Sequence, residues 1–492
     1  MARVTRGIGF TLLTVLLASA PAAGATITIV NGNQPGVGFN DATPATPVGG
    51  NTGTTIGDQR LKAFQHAADI WGALLDSSVE IRVRATFEAL DCTSDTAVLG
   101  AAAPNQIFSD FPNAPLAGTW FPSALANRLA GQDLSTTDDD IVARFNVNLG
   151  NAGCFDGIGW YLGLDNNHGN SIDLVAVLLH EFSHGLGFLT FVSDQGVEFQ
   201  NQPDVFERDI LDDSVNKHWT EMTEAERGVS AVNTGHVLWD GPTVTAMAPQ
   251  FLGGSPSLTI DSPASLAGSL LVSTAAFGPD VSEDAVEGQI VAAIDPADAA
   301  GMSTTDGCTA FSNASIVAGK IALIDRGTCD FVDKSANAEA AGAIAVVIAD
   351  NVPNSLPPLG VRENAPTIHI PTVGISQADG ATIRAALGSD VMGRIHINPR
   401  IRAGEGTGGR LKLYAPNPDE PGSSISHWDT SAFPNLLMEP NLTGSLPHTV
   451  DLTLPLLYDI GWRPDTSPAL APRGTVDAPT GNGEPKVVTP RP

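Results

Sequence analysis

The sequence predicts an α+β protein in which a β-rich module is inserted into a main domain. Three observations lead to this prediction. Residues 58–77 carry apolar side chains at helical spacing, and residues 79–87 then alternate apolar and polar side chains as a strand does. A second, more apolar helix pattern runs from Leu174 to Phe188. The composition changes near Pro256, where short strands separated by Gly and Asp turns begin.

Each predicted element follows from its spacing. In the helix at residues 58–77 the apolar residues fall on one face; they are Leu61, Phe64, Ala68, Trp71, Leu74 and Leu75. Residues 140–149 alternate apolar and polar side chains, which predicts a second strand with one buried face. We expect a twisted sheet over the helix at 174–188, followed by a helical C-terminal portion containing Asp451 to Trp462.

Composition divides the chain into segments of different character. Residues 1–25 combine a positive start, a short apolar run and an Ala-x-Ala end, which is the pattern of a secretory signal peptide cleaved after Ala25. The last residues are rich in Pro, Thr and Gly, so we expect a disordered tail. The predicted boundaries are signal peptide 1–25, main domain 26–255 and 401–465, inserted module 256–400 and tail 466–492.

The charge of the chain excludes some classes of partner. It contains 25 Lys and Arg against 54 Asp and Glu, a formal net charge of −29. A surface this acidic repels nucleic acids and anionic membranes, so neither is an expected partner. Past the N-terminal apolar run, no stretch is apolar over the about 20 residues that a membrane span needs.

The four cysteines indicate disulfides, because an even number in an exported chain is typical of paired cysteines. Three pairings are possible. Proximity and domain layout favour Cys92–Cys154 and Cys308–Cys329. A four-cysteine zinc site is disfavoured because the sequence contains no Cys-x-x-Cys pair.

The strongest chemical signal is His180-Glu181-Phe182-Ser183-His184, which lies in the apolar helix pattern. Residues four apart share one face of a helix, so the two imidazoles can aim at one point and bind zinc. Glu181 would project towards a water on that zinc and could act as its general base. The bare pattern also occurs by chance in helices where the histidines only pack.

The segment from His180 to Phe188 resembles the metzincin metallopeptidases through its Gly187. The compact metzincin pattern would place a third histidine at position 190, where this chain has Thr190. One metzincin branch, which includes leishmanolysin, places that histidine after a long insertion. The departure at Thr190 therefore points to this branch.

Two later segments resemble the rest of that branch's pattern. Ser423–Asp429 looks like its returning segment, and Asn435–Pro440 looks like the Met-turn, a tight turn with a methionine beneath the metal. The resemblance implies that His427 is the third zinc ligand and that Met438 is the Met-turn residue. On their residues alone, His427 could be a surface histidine and Met438 an ordinary core residue.

A rival third ligand is Glu207, some twenty residues past the second histidine. A glutamate at that spacing would resemble the thermolysin-like gluzincins. It could equally be a salt-bridged charge on a helix surface. The turn at Gly187 together with His427 and Met438 favours the metzincin interpretation.

The inserted module resembles the protease-associated (PA) domain over most of residues 256–400. The resemblance is carried by Gly319–Phe331, Lys334–Ala343 and Ile370–Ser376. It implies a small β-rich domain with flanking helices and no catalytic residues of its own. Its role could be substrate capture, gating of the cleft or a spacer, and the sequence does not choose among these.

Together these patterns and resemblances imply a secreted zinc-dependent endopeptidase. One catalytic zinc ion (Zn2+) would be bound by His180, His184 and His427, with Glu181 as general base. Protein or peptide substrates are expected, and an extended substrate would pair beside a sheet edge near residues 141–149. A structural calcium ion (Ca2+) has no specific support in the sequence.

Two alternatives stay open. One is a gluzincin-type peptidase with Glu207 as third ligand. The other is a secreted binding or adhesion protein that keeps the fold without activity, although the intact His180, Glu181 and His184 argue against it.

Overall fold

The computed structural model describes residues 24–353, 356–360, 365–441 and 446–463, together with the strand Lys486–Val488. Of the predicted signal peptide 1–25, all but Gly24 and Ala25 lie outside these ranges. The predicted tail 466–492 also lies outside them, except for Lys486–Val488. That strand, which the sequence did not predict, pairs antiparallel with Ile107–Ser109.

The N-terminal part of the main domain places a small sheet against two long helices. Its elements are β1 (Ile27–Asn31), α1 (Ile56–Leu74), β2 (Ile81–Glu88), β3 (Gly100–Pro104), β4 (Ile107–Ser109), β5 (Phe121–Pro122), α2 (Ser123–Ala130), β6 (Ile141–Asn146), β7 (Trp160–Tyr161), β8 (Ile172–Asp173) and α3 (Leu174–Leu186). The predicted helices and strands of this part are therefore present, with boundaries shifted by a few residues.

The sheet next to the site has the strand order β1-β2-β6-β3. The first three strands are parallel, and β3 runs antiparallel to β6 at the edge. Every second residue of β2 is buried, which is why its alternating sequence forms a strand with one face on the core. The prediction that residues 141–149 form the edge is wrong, because β6 lies between β2 and β3.

Helix α1 and helix α3 pack on one face of this sheet. The side chain of Thr55 accepts a hydrogen bond from the backbone N–H of Asp58 and caps α1. Phe64 of α1 packs on Phe145 of β6, with ring centroids 4.9 Å apart. The indole N–H of Trp71 donates to a backbone carbonyl of α3 at 3.2 Å, so the two helices are fixed to each other in the core.

The rest of the chain divides into segments before, within and after the inserted module. Before it lie β9 (Ile210–Asp212), β10 (Lys217–His218), α4 (Glu224–Ser230), β11 (Val237–Trp239) and α5 (Pro242–Phe251). The module contains β12 (Gly254–Ser262), β13 (Gly268–Leu271), β14 (Ser273–Thr274), β15 (Val286–Ala292), α6 (Ala314–Val317), β16 (Ile321–Asp325), α7 (Phe331–Ala340), β17 (Ala345–Ala349), β18 (Thr372–Ile375), α8 (Gln377–Ala386) and β19 (Met392–Arg402). After it come β20 (Leu411–Lys412), α9 (Thr453–Leu457) and a π-helical turn, Tyr458–Trp462.

The module has its own sheet, with the strand order β13-β12-β19-β15-β16-β17-β18-β14. Its buried apolar residues form two clusters separate from the core of the main domain. The two ends of the module meet, because the backbone N–H of Ala403 donates to Gly253 at 3.1 Å. Gly253 in turn donates to the carbonyl of Phe433 at 2.7 Å. A domain with adjacent ends can be inserted without pulling its host apart.

Segments from both sides of the module form one sheet, β10-β9-β11-β20. Strand β20 pairs antiparallel with β11, which returns the chain to the main domain. The C-terminal helical portion is held there by Asp459, whose carboxylate accepts hydrogen bonds from the Trp239 indole at 3.2 Å and the Thr243 backbone at 2.8 Å.

Both predicted disulfides are confirmed. Cys92 pairs with Cys154, and Cys308 pairs with Cys329. The first joins two loops of the main domain and the second lies in the module. Within the residues described by the structure, every helix is too short or too polar to cross a bilayer.

Candidate metal centre

Helix α3 carries the two histidines and the glutamate of the sequence motif. Asp173 caps its start by accepting hydrogen bonds from the backbone N–H groups of Val175 and Ala176 at 2.8 and 3.4 Å. The helix ends at Gly187, whose φ of 124° is rare for any residue with a side chain. The chain therefore changes direction at Gly187, three residues after the second histidine.

The third histidine of the prediction lies beside these two. The ring centroids of His180 and His184 are 5.0 Å apart. The ring centroid of His427 lies 5.1 Å from that of His180 and 4.8 Å from that of His184. One nitrogen from each ring can be chosen so that all three lie within 4.8 Å of one another. The structure thus brings together three residues that the sequence separates by up to 247 positions.

Each ring is oriented by a hydrogen bond from Nδ1 to a backbone carbonyl. The pairs are His180 with Leu437 at 2.8 Å, His184 with Phe188 at 2.8 Å and His427 with Ser423 at 2.7 Å. A carbonyl only accepts, so the N–H of each neutral ring is on Nδ1. This leaves each Nε2 with a free lone pair, the arrangement in which histidine binds a metal.

The donor atoms fit a zinc ion. The Nε2 atoms of His180 and His427 are 3.2 Å apart, and neither carries a hydrogen that could bridge them. Two facing lone pairs repel each other unless a cation lies between them. Two nitrogens bound to a tetrahedral zinc at 2.0–2.1 Å are about 3.3 Å apart, which is close to the observed spacing.

Burial keeps all three rings neutral. It lowers the pKa of His180 to about 3, with a further contribution from repulsion by His184. Burial lowers the pKa of His184 to about 4, and it lowers the pKa of His427 well below its usual value. Neutral imidazoles are the form that binds a metal, so protons compete weakly for this site at neutral pH.

Glu181 lies next to the histidines and faces the edge strand. Burial raises the pKa of its carboxyl to about 8, and a hydrogen bond from the backbone of Ala102 opposes this rise. Gly100 of the same strand lies so close that a Cβ atom there would be 3.2 Å from the Cγ of Glu181. Strand β3 therefore determines where this carboxylate lies.

The segment that returns with His427 is held in a strained conformation. Ile425 has a φ of 67°, which is unusual for a β-branched residue. Its backbone N–H donates to the carbonyl of Tyr414 at 2.7 Å, and Tyr414 donates to the carbonyl of His427 at 2.9 Å. Strain of this kind persists only where the surroundings enforce it, and it concentrates at functional sites.

The predicted Met-turn residues contact the histidine cluster through Leu437. Met438 is fully buried, and its carbonyl accepts a hydrogen bond from the backbone N–H of Trp428 at 2.7 Å. Leu437 supplies the carbonyl that orients His180 and donates its own N–H to Asp451 at 2.5 Å. The turn thus contacts His180 through the backbone carbonyl of Leu437.

A cleft of about 790 Å³ opens over the three histidines and Glu181. Its lining includes residues 96–102, together with Phe155, Ile172 and Val177. It also includes residues from 189–194 and 421–427. The candidate metal centre is therefore accessible to a substrate while its ligands stay mostly buried.

The rival ligand Glu207 lies elsewhere. It is fully buried and forms an ion pair with Arg227 at 3.5 Å. Burial, together with the nearby Asp204 carboxylate, raises the pKa of Glu207 to about 9. Among the described residues, the group of three or more acidic, histidine or cysteine side chains that could hold one ion consists of His180, His184 and His427. His427 therefore lies with the two helix histidines, whereas Glu207 does not.

Several residues that shape the site were missed from the sequence. Asp204 accepts hydrogen bonds from the Thr190 hydroxyl at 2.8 Å and the Phe191 backbone at 2.5 Å, and so fixes the loop after the helix. Asp173 pairs with His448 at 3.0 Å in addition to capping the helix. The cap was readable, because an Asp precedes the apolar helix pattern. The other contacts join distant segments and have no local signal.

Comparison with known proteins identifies the inserted module. The family model described as "PA domain" matches residues 286–383. These residues run from β15 into α8, within the predicted module at 256–400. The chain therefore contains a PA domain, as its sequence predicted.

The chain also matches short stretches of known aminopeptidases. Leucine aminopeptidase 2 of Arthroderma otae is 45% identical over 84 residues, which are 17% of this chain and 16% of that protein. An aminopeptidase of Pseudomonas aeruginosa is 48% identical over 64 residues, 12% of each chain. Among solved structures, a zinc aminopeptidase from Bacillus subtilis is 24% identical, with 30% of each chain covered and a TM-score of 0.22. The chain thus covers less than a fifth of the two sequence relatives.

Proposed function

We propose that the chain is a zinc-dependent peptidase of the metzincin type. The observation that carries this proposal is the convergence of three neutral imidazoles, each with Nδ1 bonded to a carbonyl and Nε2 free. The turn at Gly187 and the buried Met438, which follows the residue whose carbonyl orients His180, support the metzincin type. The aminopeptidase relatives are consistent with the broader class of zinc peptidases.

His180, His184 and His427 would hold the zinc ion. When bound, zinc lowers the pKa of a water ligand towards about 7 and polarises a carbonyl group. Glu181 would accept the proton of the attacking water and return it to the amine nitrogen of the broken peptide bond. Burial disfavours the carboxylate form of Glu181, and a bound zinc ion would favour it through its positive charge.

We propose endopeptidase action, and the edge strand supports it. Strand β3 is at the edge of its sheet, and its residues 100–102 line the cleft. An extended peptide can pair with such an edge through its backbone and run past the metal in both directions. A substrate held this way is cleaved internally and does not need a free amino terminus.

We also propose that the protein is secreted. The N-terminal pattern of residues 1–25 supports this, and so do the two disulfides, which persist in oxidising compartments. The adjacent ends of the module allow it to act as a unit, in capturing substrates, in gating the cleft or as a spacer. N-terminal sequencing of protein from the culture medium should start at Thr26, whereas protein retained in the cell would contradict secretion.

Metal content tests the ligand set. Mass spectrometry should find one zinc per wild-type chain, and His427→Ala should lose it. Glu207→Ala should keep the zinc. The control His236→Ala should keep it too, because it removes a half-exposed histidine outside the group of three. Loss of zinc in Glu207→Ala with retention in His427→Ala would contradict the proposed site.

Turnover tests the role of Glu181. Casein digestion should stop when a chelator removes the metal and resume when zinc is restored. Glu181→Gln should keep zinc and lose most of its rate, because a general base contributes about 10²–10⁴-fold. Full activity in that variant would remove Glu181 from the proton-transfer role, and chelator-resistant activity would exclude a metal mechanism.

Blocked peptides distinguish internal from terminal cleavage. An endopeptidase cleaves an N-acetylated decapeptide as fast as the free form, and the products are internal fragments. An aminopeptidase, the activity named for the relatives, releases single residues and requires the free amine. Cleavage of the free peptide alone would replace the endopeptidase proposal by an aminopeptidase.

A further inference from the structure

Two loops beside the cleft are joined into one unit, which we call the tethered rim (residues 91–99 and 147–159). The disulfide Cys92–Cys154 links them, with 4.9 Å between the Cα atoms. Backbone hydrogen bonds add to this link, since Phe155 donates to Thr93 at 2.7 Å and the next residue donates to the carbonyl of Ser94 at 2.9 Å. The rim is therefore more rigid than two free loops would be.

Phe155 sits in this rim with a strained backbone. Its φ is 54°, in the left-handed region that costs an ordinary residue roughly 1–2 kcal/mol. Within the described ranges, the non-glycine residues with positive φ are Asp, Asn or Gln except for Phe155 and Ile425. Phe155 lines the cleft, and Ile425 is a buried residue two positions before His427. An aromatic residue kept at such a position indicates that its side chain is needed there.

The segments that line the cleft differ in polarity. Besides Thr96, the rim contributes the apolar side chains Ala97, Val98, Leu99 and Phe155, and Ile172 and Val177 also line the cleft. The segments after the helix and before His427 contribute Thr190, Asp194, Ser423, Ser424 and Ser426 together with Leu189 and Val192. Val177 is one helical turn before Glu181, so the apolar surface lies next to the reacting groups.

We infer that Phe155 is a specificity-determining residue, which forms with Leu99, Ile172 and Val177 a subsite for an apolar side chain beside the cleaved bond. This inference rests on the proposed peptidase function. The disulfide Cys92–Cys154 holds Phe155 in the conformation that closes this subsite. The substrate class is then peptides with a residue such as Leu or Phe next to the cleaved bond.

Decapeptides that vary the residue on each side of the cleaved bond test the inference. Wild type should prefer Leu over Ser at one of the two positions by about 10–200-fold in kcat/KM, the range that apolar pockets provide. Phe155→Asn should reduce this preference about tenfold while the Ser peptide keeps its rate. Asn adopts a positive φ readily, so this variant removes the ring and preserves the rim.

Matched variants separate the subsite from general damage. Phe155→Tyr should retain the preference, and so should Val229→Ala, which removes an exposed apolar side chain elsewhere. Replacing Cys92 and Cys154 by Ser should lower the Leu preference. The same change at the disulfide of the module should not alter it.

Two results would overturn the inference while leaving the peptidase intact. One is a wild-type enzyme that cleaves these peptides without an apolar preference. The other is a preference that Phe155→Asn leaves unchanged. If wild type loaded with zinc cleaves none of the peptides, the proposed function fails and the subsite fails with it.

Discussion

Replacing Gly100 by Ala tests whether the edge strand positions the carboxylate of Glu181, the proposed general base. A Cβ atom at this position would lie 2.9 and 3.0 Å from two ring carbons of Phe145 and 3.2 Å from Cγ of Glu181. Phe145 is fully buried and packs edge-on against Phe64, so its ring has no room to recede. The added methyl group must therefore displace Glu181, the strand or both by a few tenths of an ångström.

The size of the effect follows from the crowding. Overpacking a core by one methyl group costs about 1–3 kcal/mol, which lowers the Tm of a domain of this size by roughly 3–10 °C. A catalytic group misplaced by about 1 Å can lose about 10²-fold in rate, so a smaller shift of Glu181 should lower kcat/KM about tenfold. Zinc content should be unchanged, because Gly100 touches none of the three histidines in its close contacts.

Three measurements on purified protein check this prediction: the melting temperature, zinc per chain and kcat/KM on a fluorogenic peptide. Gly388→Ala is the control, since a Cβ there meets nothing within 4 Å. A Gly100→Ala enzyme with wild-type melting and rate would refute the crowding argument. A loss of rate explained by lost zinc would show that the strand acts on the metal site rather than on Glu181.

Other predictions concern stability. Burial raises the pKa of Asp140 to about 6, above its unfolded value of 3.8, so the free energy of unfolding should fall by up to about 3 kcal/mol as pH rises from about 4 to 6. Urea titrations at both pH values should show a smaller fall in the Asp140→Asn variant than in wild type. An equal fall in the two proteins would contradict this prediction. Replacing Cys92 and Cys154 by Ser releases a link across 62 residues worth about 4 kcal/mol, so calorimetry should show a clearly lower Tm, and an unchanged Tm would contradict the estimate. Replacing the whole module by a short flexible linker between Gly253 and Ala403 should leave one zinc per chain, because these two residues are already hydrogen-bonded. Loss of zinc would show that the module supports the metal site.

Local patterns in the sequence predicted the elements that carry the centre. The apolar periodicity of residues 174–188 corresponds to helix α3, and the alternation at 79–87 corresponds to β2. Such predictions succeed because helix and strand periodicity depend on which side chains face the core, which is a property of neighbouring residues. The same reasoning misjudged the sheet edge. Residues 141–146 alternate like an edge strand, yet the alanine-rich segment 100–104 pairs outside them.

The candidate metal centre was partly predictable from the sequence. The motif placed His180 and His184 one turn apart, as the helix requires. The convergence of His427 with them depended on resemblance, because no local rule relates residues 247 positions apart. The structure adds what the motif lacks, namely the carbonyl of Leu437 behind His180 and the contact of Gly100 with Glu181.

By itself, the sequence determined the helix that carries His180 and His184, the disulfide partners and the inserted PA domain, because each is encoded in contiguous residues or in a simple order of segments. Only the tertiary structure decided which strand borders the cleft, which way each imidazole points and where strain is held. These features arise from contacts between segments that are remote along the chain. Such contacts are selected by packing and hydrogen bonding over the whole fold rather than by neighbouring side chains.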